Sequence, residues 1–578
     1  MHYANRHLIV LGCSASKFHT SGGLPAIDRY DGPLYRVLRL FLRETMWPVP
    51  LSVAVLSARY GLIGGLAPIE YYDQSMDQHR AAQLIDGSTE TLIRWGQSHN
   101  QVSLVLGKNY LPALNLNELH YHGIQSSVIE GQIGEKLHSL RSLLHDLGQE
   151  PRVNKPTPQQ HRTLYFLPDW DDMLDVDFNF NKDRFSSINK LDRDEQHCIQ
   201  VMQPERMCDG IVVSLAQHFG SKGVLKKFAP TDIQALAPES IRAKFGLSSN
   251  QWVFGDCGAF TYVNEPNPTI TTEQAISMYQ LYGFDLGASV DHIPFPAITV
   301  NNEKVMLTES DRKQRIKLTR DNAEAFIRLH KRRKCTFTPV GTIQALTPDD
   351  YATQFLEYIE MGYRHVAIGG LIPKSDAEIV ETVQALGKAK ANCKQDIWIH
   401  LFGVFRPKIQ SQFRQEGITS FDSATYFRKA WLRSDQNYLG VDGQWYAAIR
   451  VPMTSDARTR LRLRASGVPL YWLEKLEEEA LLALHQYGAR QRTLDSTLKA
   501  VMDYDMMLNR GADHGGNLWW TYRRTLEARP WEMCTCSVCS GIGIDVLIFR
   551  GSNRNKRRGA HNTLMLYKIV GNIGSSIE

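Results

Sequence analysis

From Leu164 onward the chain repeats one unit: a short apolar run rich in β-branched residues, followed in most cases by a stretch with helical periodicity. Continuous apolar runs are typical of strands in a parallel sheet, because helices cover both faces of such a sheet. Thr271 and Thr347, each followed by acidic residues, have the pattern of helix N-caps. Repeated strand–helix units over roughly 250 residues predict a closed parallel barrel or a doubly wound open sheet. The strand-like runs are LYFLPD, GIVVSLA, QWVFGD, DLGASVD, TFTPVG, HVAIGG, IWIHLFG and ITSFDSA.

Residues 1–148 carry a shorter alternation of the same kind, with the runs HLIVLGCS, SVAVLSARYG and VSLVLGKNY. They predict a small α/β accessory domain. The polar, proline-containing residues 149–163 that follow have the composition of a linker. At 578 residues the chain is long enough for several such units, and we expect the larger one to occupy residues 164–578.

Polar residues and glycines follow the strand-like runs of the larger unit. In a (β/α) barrel the carboxyl ends of the strands meet at one mouth, where catalytic side chains gather. One aspartate after a strand is more often a turn or cap residue, but a series of such positions predicts a functional site at this mouth. These positions are Asp256, Asp291, Gln344, Gly369, Gly370, Gly403 and Asp422.

Three of the nine cysteines crowd together, at Cys534, Cys536 and Cys539, and His561 follows after 21 further residues. In a reducing compartment such a cluster indicates a metal before it indicates a disulfide. Three thiolates and one imidazole complete a tetrahedral zinc site with no position left for water. The sequence therefore predicts one structural zinc ion per chain.

The formal net charge of +5 is too small to indicate a polyanionic partner by itself. Two local clusters are candidate phosphate contacts, although a solvated basic face is an equally ordinary explanation: the alternating arginines from Arg458 to Arg464, and the basic run from Arg550 to Arg558. No uninterrupted apolar stretch is long enough to cross a membrane, and the N-terminus lacks the pattern of a signal peptide. We therefore expect no membrane partner and a cytoplasmic location.

Five motifs give the larger unit a family resemblance. DCGAF (256–260), VDHIPFP (290–296), AIGGL (367–371), HLFGV (400–404) and GITSFDSA (417–424), in this order, resemble the tRNA-guanine transglycosylase superfamily over roughly residues 164–578. FLPDWDD (166–172) resembles its DpdA branch, whose members place 7-deazaguanine bases into DNA. The resemblance implies a TIM-type (β/α)8 barrel with a C-terminal zinc-binding subdomain at about residues 505–578, and exchange of guanine for a 7-deazaguanine without strand cleavage.

By the same resemblance, Asp422 is the expected nucleophile, attacking the anomeric carbon and expelling guanine. Asp256 is the expected general acid and base for the departing and incoming bases. The chemistry requires such a pair, because one carboxylate holds the sugar as a covalent ester while a second group manages the proton of the base. This is the double displacement of retaining glycosidases, with a base in the place of water.

The resemblance also implies a base pocket. Asp291 is expected to accept hydrogen bonds from the N–H donors of guanine, since a carboxylate is only an acceptor. Gln344, Gly370 and Leu371 are expected to complete the pocket, with Phe402 against one face of the base.

Departures from the family pattern bear on the nucleic acid that is modified. After the nucleophile, tRNA enzymes have Pro-Thr-Arg and a glycine-rich stretch, whereas this chain has Ser423-Ala424-Thr425-Tyr426-Phe427-Arg428. We therefore expect DNA as the acceptor, a free 7-deazaguanine base (7-cyano-7-deazaguanine or a close analogue) as co-substrate, and a possible protein partner that opens the duplex. The same exchange on tRNA is the alternative. A barrel that only binds nucleic acid is disfavoured by its two retained carboxylates.

The N-terminal unit resembles small domains of the YaaA type. Its motifs CSASK (13–17), SARYGL (57–62) and GKNY (107–110) each follow a strand-like run, and in an open α/β sheet these ends line one crevice. Lys17, Arg59 and Lys108 are then candidates to face phosphate. A nucleic-acid-binding role and a purely structural role remain alternatives for this unit.

Overall fold

A computed structural model describes residues 6–20, 22–45, 51–148, 162–219, 231–237, 240–432, 434–455, 469–508 and 515–572. The predicted linker at 149–163 lies almost entirely outside these residues, as do the arginines from Arg458 to Arg464. The chain divides into two compact units. One comprises Met1–Pro158, Val212–Phe402 and Gln412–Thr419, and the other comprises Gln159–Ile211, Gly403–Ser411 and Ser420–Glu578.

Eight strands close into a parallel barrel, which confirms the predicted fold class and excludes the doubly wound sheet. Seven of the eight predicted runs contain one of these strands, and the eighth, TFTPVG (336–341), overlaps its strand and ends two residues before the strand does. We number the strands of the N-terminal sheet β1 to β5 and those of the barrel β6 to β13. The barrel strands are β6 (Leu164–Pro168), β7 (Gly210–Ser214), β8 (Trp252–Asp256), β9 (Leu286–Ala288), β10 (Thr338–Ile343), β11 (His365–Ile368), β12 (Trp398–Leu401) and β13 (Ser420–Asp422).

The barrel strands are buried almost throughout, as their continuous apolar runs predict. Strand β13 pairs with β6 in parallel, with Asp422 opposite Phe166, and β8 pairs with β9, with Phe254 opposite Leu286. Because all the strands run in one direction, Asp256 and Asp422 each end a strand at its carboxyl end.

The helices of the barrel begin where the sequence predicts. The hydroxyls of Thr271 and Thr347 accept the backbone N–H groups of Gln274 and Asp350, which satisfies donors that have no partner inside a helix. The longer barrel helices are α5 (Thr272–Leu281), α6 (Glu309–Arg333), α7 (Pro348–Met361) and α8 (Asp376–Ala391), and two short ones are α9 (Gln410–Gln415) and α10 (Thr425–Lys429).

A separate five-stranded sheet forms the core of the N-terminal region, in the order β3-β2-β1-β4-β5. All neighbours are parallel except β2 and β3. Its strands are β1 (His7–Gly12), β2 (Leu51–Ser57), β3 (Gly61–Gly64), β4 (Gln101–Val105) and β5 (Ser126–Val128), and its longer helices are α1 (Pro33–Thr45), α2 (Gln78–Gly96), α3 (Leu116–Tyr121) and α4 (Ile133–Leu147). The three strands predicted here are confirmed, whereas the short β3 and β5 were not anticipated.

The N-terminal sheet is joined to residues 233–236, which lie between β7 and β8 in the sequence. The carbonyl of Leu236 accepts a hydrogen bond from the Val53 N–H, and that of Ala235 accepts one from Leu66, both at 2.8 Å. A Cβ atom at Gly64 would lie 2.5 Å from the Cβ of Ala235, so the contact requires a residue without a side chain. The sequence contains no signal for this docking.

The C-terminal part is mainly helical, and its strands are short two-residue segments, such as Ile449–Arg450, which pairs with Ile548–Phe549. No helix in the described ranges combines the length and the apolarity that a membrane crossing requires. The helices are α11 (Leu470–Gly488), α12 (Leu494–Leu508), α13 (Gly515–Ala528), α14 (Ser537–Ile542) and α15 (Gly551–Asn572).

Candidate active site and metal centre

The carboxylate of Asp256 is oriented by the turn that follows β8. Its Oδ2 accepts the backbone N–H of Gly258 at 2.9 Å. Gly258 has a φ of +83°, and a Cβ atom there would lie 2.2 Å from the Oγ of Ser214 at the end of β7. Only glycine combines this backbone conformation with this close approach, and the turn therefore depends on it.

Cys257, beside Asp256, is a core residue. Its thiol is fully buried, lies 3.4 Å from the Tyr279 hydroxyl and donates to the carbonyl of Ala288. Burial raises the pKa of this thiol well above its usual range. A thiol held neutral in the core is not an activated nucleophile.

Asp291 and Gln344 form a buried polar pair. The Gln344 Nε2 donates to Asp291 Oδ2 at 2.7 Å, and Gln344 and Asp291 are 1% and 3% exposed. Burial raises the pKa of Asp291 to about 6. Within the described residues, Gln344 Oε1 is buried and has no donor. The pair thus presents acceptor oxygens in a place where an unsatisfied acceptor costs about 1–3 kcal/mol, so it favours a ligand rich in N–H donors.

Two glycines after β11 pack against the Gln344 amide. A Cβ atom at Gly369 would lie 2.1 Å from Gln344 Nε2, and one at Gly370 would lie 2.8 Å from Oε1. Gly370 has a φ of +75°, and the Tyr351 hydroxyl donates to the Gly369 carbonyl at 2.8 Å. Backbone rather than side chains therefore borders the unsatisfied acceptor.

Apolar side chains flank these groups. Leu371 is fully buried directly after Gly370. The half-buried Phe402 stacks on Phe254 with ring centroids 5.7 Å apart and meets His400 edge-on at 4.9 Å. The structure therefore brings Asp291, Gln344 and Gly370 into one cluster, while Leu371 follows Gly370 after β11 and Phe402 directly follows β12.

Asp422 is 7% exposed at the end of β13, and its Oδ1 accepts the backbone N–H of Gly403 at 2.8 Å. The Tyr165 hydroxyl donates to the carbonyl of Ser423 and fixes the next residue. Further along, the exposed Arg428 guanidinium lies over the ring of Trp170, 5.3 Å from its centroid. The sequence predicted Asp422 and Gly403 as strand-end positions. It did not predict the contact of Tyr165 with Ser423 or that of Trp170 with Arg428.

The four residues predicted as metal ligands are buried together. The Nδ1 of His561 lies 3.6, 3.5 and 3.4 Å from the sulfur atoms of Cys534, Cys536 and Cys539. Tetrahedral bond lengths to zinc of about 2.3 Å for sulfur and 2.0–2.1 Å for nitrogen correspond to an S···N distance of about 3.5 Å. The cluster can therefore hold a metal ion of this kind without rearrangement.

A second layer of contacts orients the ligands. The Nε2–H of His561 donates to the carbonyl of Leu439 at 2.7 Å, which leaves Nδ1 to face the sulfur atoms. The ring of Tyr438 stacks on His561 at 4.1 Å, and its hydroxyl lies 3.3 Å from the Cys539 sulfur. Asn562 accepts the N–H of Leu439 at 2.9 Å.

The basic run from Arg550 to Arg558 is neither a phosphate-binding surface nor a solvated face, so both interpretations of its sequence are wrong. Arg550, Arg554, Arg557 and Arg558 are at most 6% exposed. They pair with acids and carbonyls: Arg550 with Asp183 and Glu477, Arg554 with Asp183 and Asp545, Arg557 with the carbonyls of Asp175 and Val176, and Arg558 with those of Ala430, Val546 and Ile548.

A second group of side chains that could bind a metal lies after β6. It consists of Asp169, Asp172 and His197, whose ligand atoms lie within 4.8 Å of one another. Both carboxylate oxygens of Asp172 already have partners within the protein. Its Oδ1 lies 2.7 Å from His197 Nδ1, and its Oδ2 accepts the N–H of Cys198. These contacts explain the burial of Asp172 without a cation.

Comparisons with known proteins agree with this arrangement. No family model matches the chain. The chain is 34% identical to a DNA-guanine transglycosylase of Salmonella montevideo over 409 residues, which are 70% of this chain and 95% of that protein. It is 24% and 23% identical to the tRNA-guanine(15) transglycosylases of Pyrococcus abyssi and Thermococcus onnurineus, over 47% of this chain and 44% of each of those proteins.

We predict that Gly258→Ala lowers the free energy of unfolding by about 1–3 kcal/mol, because the side chain meets Ser214 in a left-handed backbone conformation. Gly87→Ala is the matched control. Gly87 is exposed within α2, and a methyl group there would have no neighbouring atom within 4 Å, so this change should stabilise by roughly 0.5–1 kcal/mol. Denaturant unfolding of both variants checks the pair, and equal effects would contradict the close approach at Gly258.

Proposed function

The chain belongs to the DNA-guanine transglycosylase family, and on that basis we propose that it exchanges guanine in DNA for a free 7-deazaguanine base. The observation that carries the proposal is the buried acceptor pair of Asp291 and Gln344 beside the backbone of Gly370. A pocket of this kind suits a base that presents N–H donors along one edge.

Guanine presents such an edge, with donors at N1 and at the exocyclic N2. Asp291 and Gln344 Oε1 accept these donors in the proposed complex. A 7-deazaguanine differs by a carbon in place of N7 and keeps the donor edge unchanged. One pocket therefore holds both the departing and the incoming base, as an exchange reaction requires, with Phe402 beside the ring.

Asp422 and Asp256 divide the chemistry in this proposal. A carboxylate oxygen of Asp422 bonds to C1′ as the C1′–N9 bond breaks, while Asp256 gives a proton to the departing guanine. Asp256 then takes the proton from N9 of the incoming base, which bonds to C1′ and releases Asp422. The Gly403 N–H at Asp422 Oδ1 keeps the carboxylate oriented through both steps.

The acceptor must reach the barrel as an exposed nucleotide. An anomeric carbon inside a stacked duplex is inaccessible, so the target guanine is flipped out or already single-stranded, at a cost of roughly a few kcal/mol for pairing and stacking. The exposed Arg428 over Trp170, which follows the proposed nucleophile, offers a cation and an aromatic face to the strand. We therefore expect single-stranded or mismatched guanine to react faster than guanine in an intact duplex, and a duplex-opening partner would have a role.

Zinc is the metal we propose for Cys534, Cys536, Cys539 and His561, because three thiolates and one imidazole are its usual structural ligand set. When bound, it supplies folding free energy and no chemistry, since four protein ligands leave no position for substrate.

The central experiment offers radiolabelled guanine with matched DNA and tRNA acceptors to the purified protein. We expect label in DNA, and Asp422→Asn should lower the rate on the order of 1,000-fold or more, because the amide cannot form the covalent ester. The amide oxygen still accepts the Gly403 N–H, so the fold should be retained.

Gln436→Glu, which changes the same functional group on the exposed surface near Lys429, serves as the control and should leave the rate unchanged. Label in tRNA alone would reject DNA as acceptor and retain the exchange reaction. A fully active Asp422→Asn variant would reject the nucleophile.

Binding of free guanine should depend on pH through Asp291. The pKa of this carboxyl is raised to about 6. Only its ionised form accepts two N–H donors, one from the Gln344 amide and one from the base. Affinity should therefore be full above a pH of about 6 and should fall about tenfold per pH unit below it. Calorimetric titration without nucleic acid measures this, and the isosteric Asp291→Asn should bind weakly with a flat pH profile. A wild-type profile that is also flat from about pH 5 to pH 8 would contradict the assignment.

Purified protein should contain one zinc ion per chain. Cys536→Ser should lose the metal and much of the thermal stability, because a structural zinc contributes directly to folding. Cys393→Ser makes the same chemical change at a half-buried position outside the cluster and should retain both. Folded, active Cys536→Ser without metal would exclude the structural role.

A further inference from the structure

The N-terminal sheet gathers two cations at the carboxyl ends of its parallel strands. Lys17 follows β1 and Arg59 follows β2, and both lie against one ring, that of Tyr72. The Lys17 ammonium is 4.6 Å from the ring centroid and the Arg59 guanidinium is 5.9 Å from it. Two of the three basic residues expected at the crevice, Lys17 and Arg59, thus contact one ring, and the side chains of Arg59 and Lys108 are exposed.

Lys17 is buried, with 9% of its surface exposed. In the parts of the chain that the structure describes, no carboxylate pairs with Lys17 or with Arg59. The neighbouring Asp31 is already engaged by Arg36 and Arg39. A buried cation without a counter-ion is costly, and a second cation on the same ring adds repulsion. The two attractions to the ring recover only part of this cost.

The position of Lys17 is built into the fold. Its backbone bridges to Tyr30, whose hydroxyl lies 2.6 Å from that of Tyr72. The Tyr72 hydroxyl lies 2.8 Å from the Ser57 Oγ, which also accepts the N–H of Arg59. The hydrogen-bonded hydroxyls fix the Tyr72 ring that both cations contact, and the buried Lys17 is held beside it.

The crevice has a further polar wall where β1 and β4 end. The Cys13 thiol lies 3.2 Å from the Tyr110 hydroxyl and accepts the N–H of Ala58. Strands β2 and β4 flank β1 on opposite sides, so this is the point at which the sheet order reverses. Open α/β sheets bind ligands at such a point.

From this geometry we propose that the crevice of Lys17, Arg59 and Tyr72 is a binding site for a phosphate ester, either a free nucleotide or a phosphate of the DNA backbone. An anion between the two cations supplies the missing counter-ion, and the phosphate oxygens accept charge-assisted hydrogen bonds from both. The site lies in the N-terminal sheet and does not depend on the reaction proposed for the barrel.

The test uses the full-length protein and two probes. Radiolabelled deoxyguanosine monophosphate in equilibrium dialysis represents the free nucleotide, and a labelled single-stranded oligonucleotide in fluorescence anisotropy represents the backbone. Lys17→Met should weaken the probe that occupies the site by roughly 10- to 100-fold, the range of one charge-assisted hydrogen bond. If that probe is the oligonucleotide, the dependence of affinity on salt should also lose about one ion.

Lys136→Met is the matched control, because Lys136 belongs to the same domain and is also 9% exposed, but its ammonium already donates to the Leu106 carbonyl. It should leave the affinity for both probes unchanged.

Stability separates binding from a structural role. Lys17→Met removes an uncompensated buried charge and keeps the apolar stem, so the thermal midpoint of the full-length protein should stay level or rise. A large fall would mean that Lys17 serves the fold, and would overturn the proposal. So would equal binding of both probes by the wild type and Lys17→Met. Neither result bears on guanine exchange, which is measured separately in the same preparations.

Discussion

Burial of positive charge governs the C-terminal part of this structure. Three buried guanidinium groups, on Arg550 at the start of helix α15 and on Arg554 and Arg558 within it, must each find acceptors because an unpaired buried charge is prohibitively costly. Many of those acceptors come from distant parts of the chain, including Asp183, Glu477 and the carbonyl of Ala430. The requirement therefore determines which segments can lie beside the helix.

Helix α15 also carries His561, one of the four residues of the metal cluster. His561 faces the three cysteine sulfurs and donates to Leu439, while Asn562 donates to the carbonyls of Tyr426 and Asn437. Tyr426 and Ala430 belong to the segment that directly follows Asp422. The contacts of the cysteine–histidine cluster and the arginine pairing thus both hold the backbone behind the proposed nucleophile, although neither touches the reacting atoms. A structural metal in this place would couple folding to activity.

The sequence predicted the strands, the helix caps and the metal ligands, but it did not predict which charged side chains are buried. All eight barrel runs, the caps at Thr271 and Thr347 and the spacing of the metal ligands depend on local patterns, which the chain carries explicitly. The arginines of α15 and Lys17 appear alike in sequence, as basic residues near functional motifs. Their environments differ because α15 meets carboxylates from far along the chain, whereas Lys17 meets tyrosines. Such long-range pairing, like the approach of Ser214 to Gly258, has no signal in local composition.

The proposed base pocket and the proposed phosphate site each contain a buried polar group without a partner. In the base pocket this group is an acceptor, and in the phosphate site it is a cation. Gln344 Oε1 is a buried acceptor without a donor among the described residues, and Lys17 is a buried cation without a paired carboxylate among them. In both proposals, a complementary ligand would remove the unfavourable free energy of these unpaired groups. Adenine, whose pairing edge offers an acceptor at N1 where guanine has a donor, would place an acceptor against the Asp291 carboxylate. In the proposed pocket, the groups that favour guanine would therefore disfavour adenine.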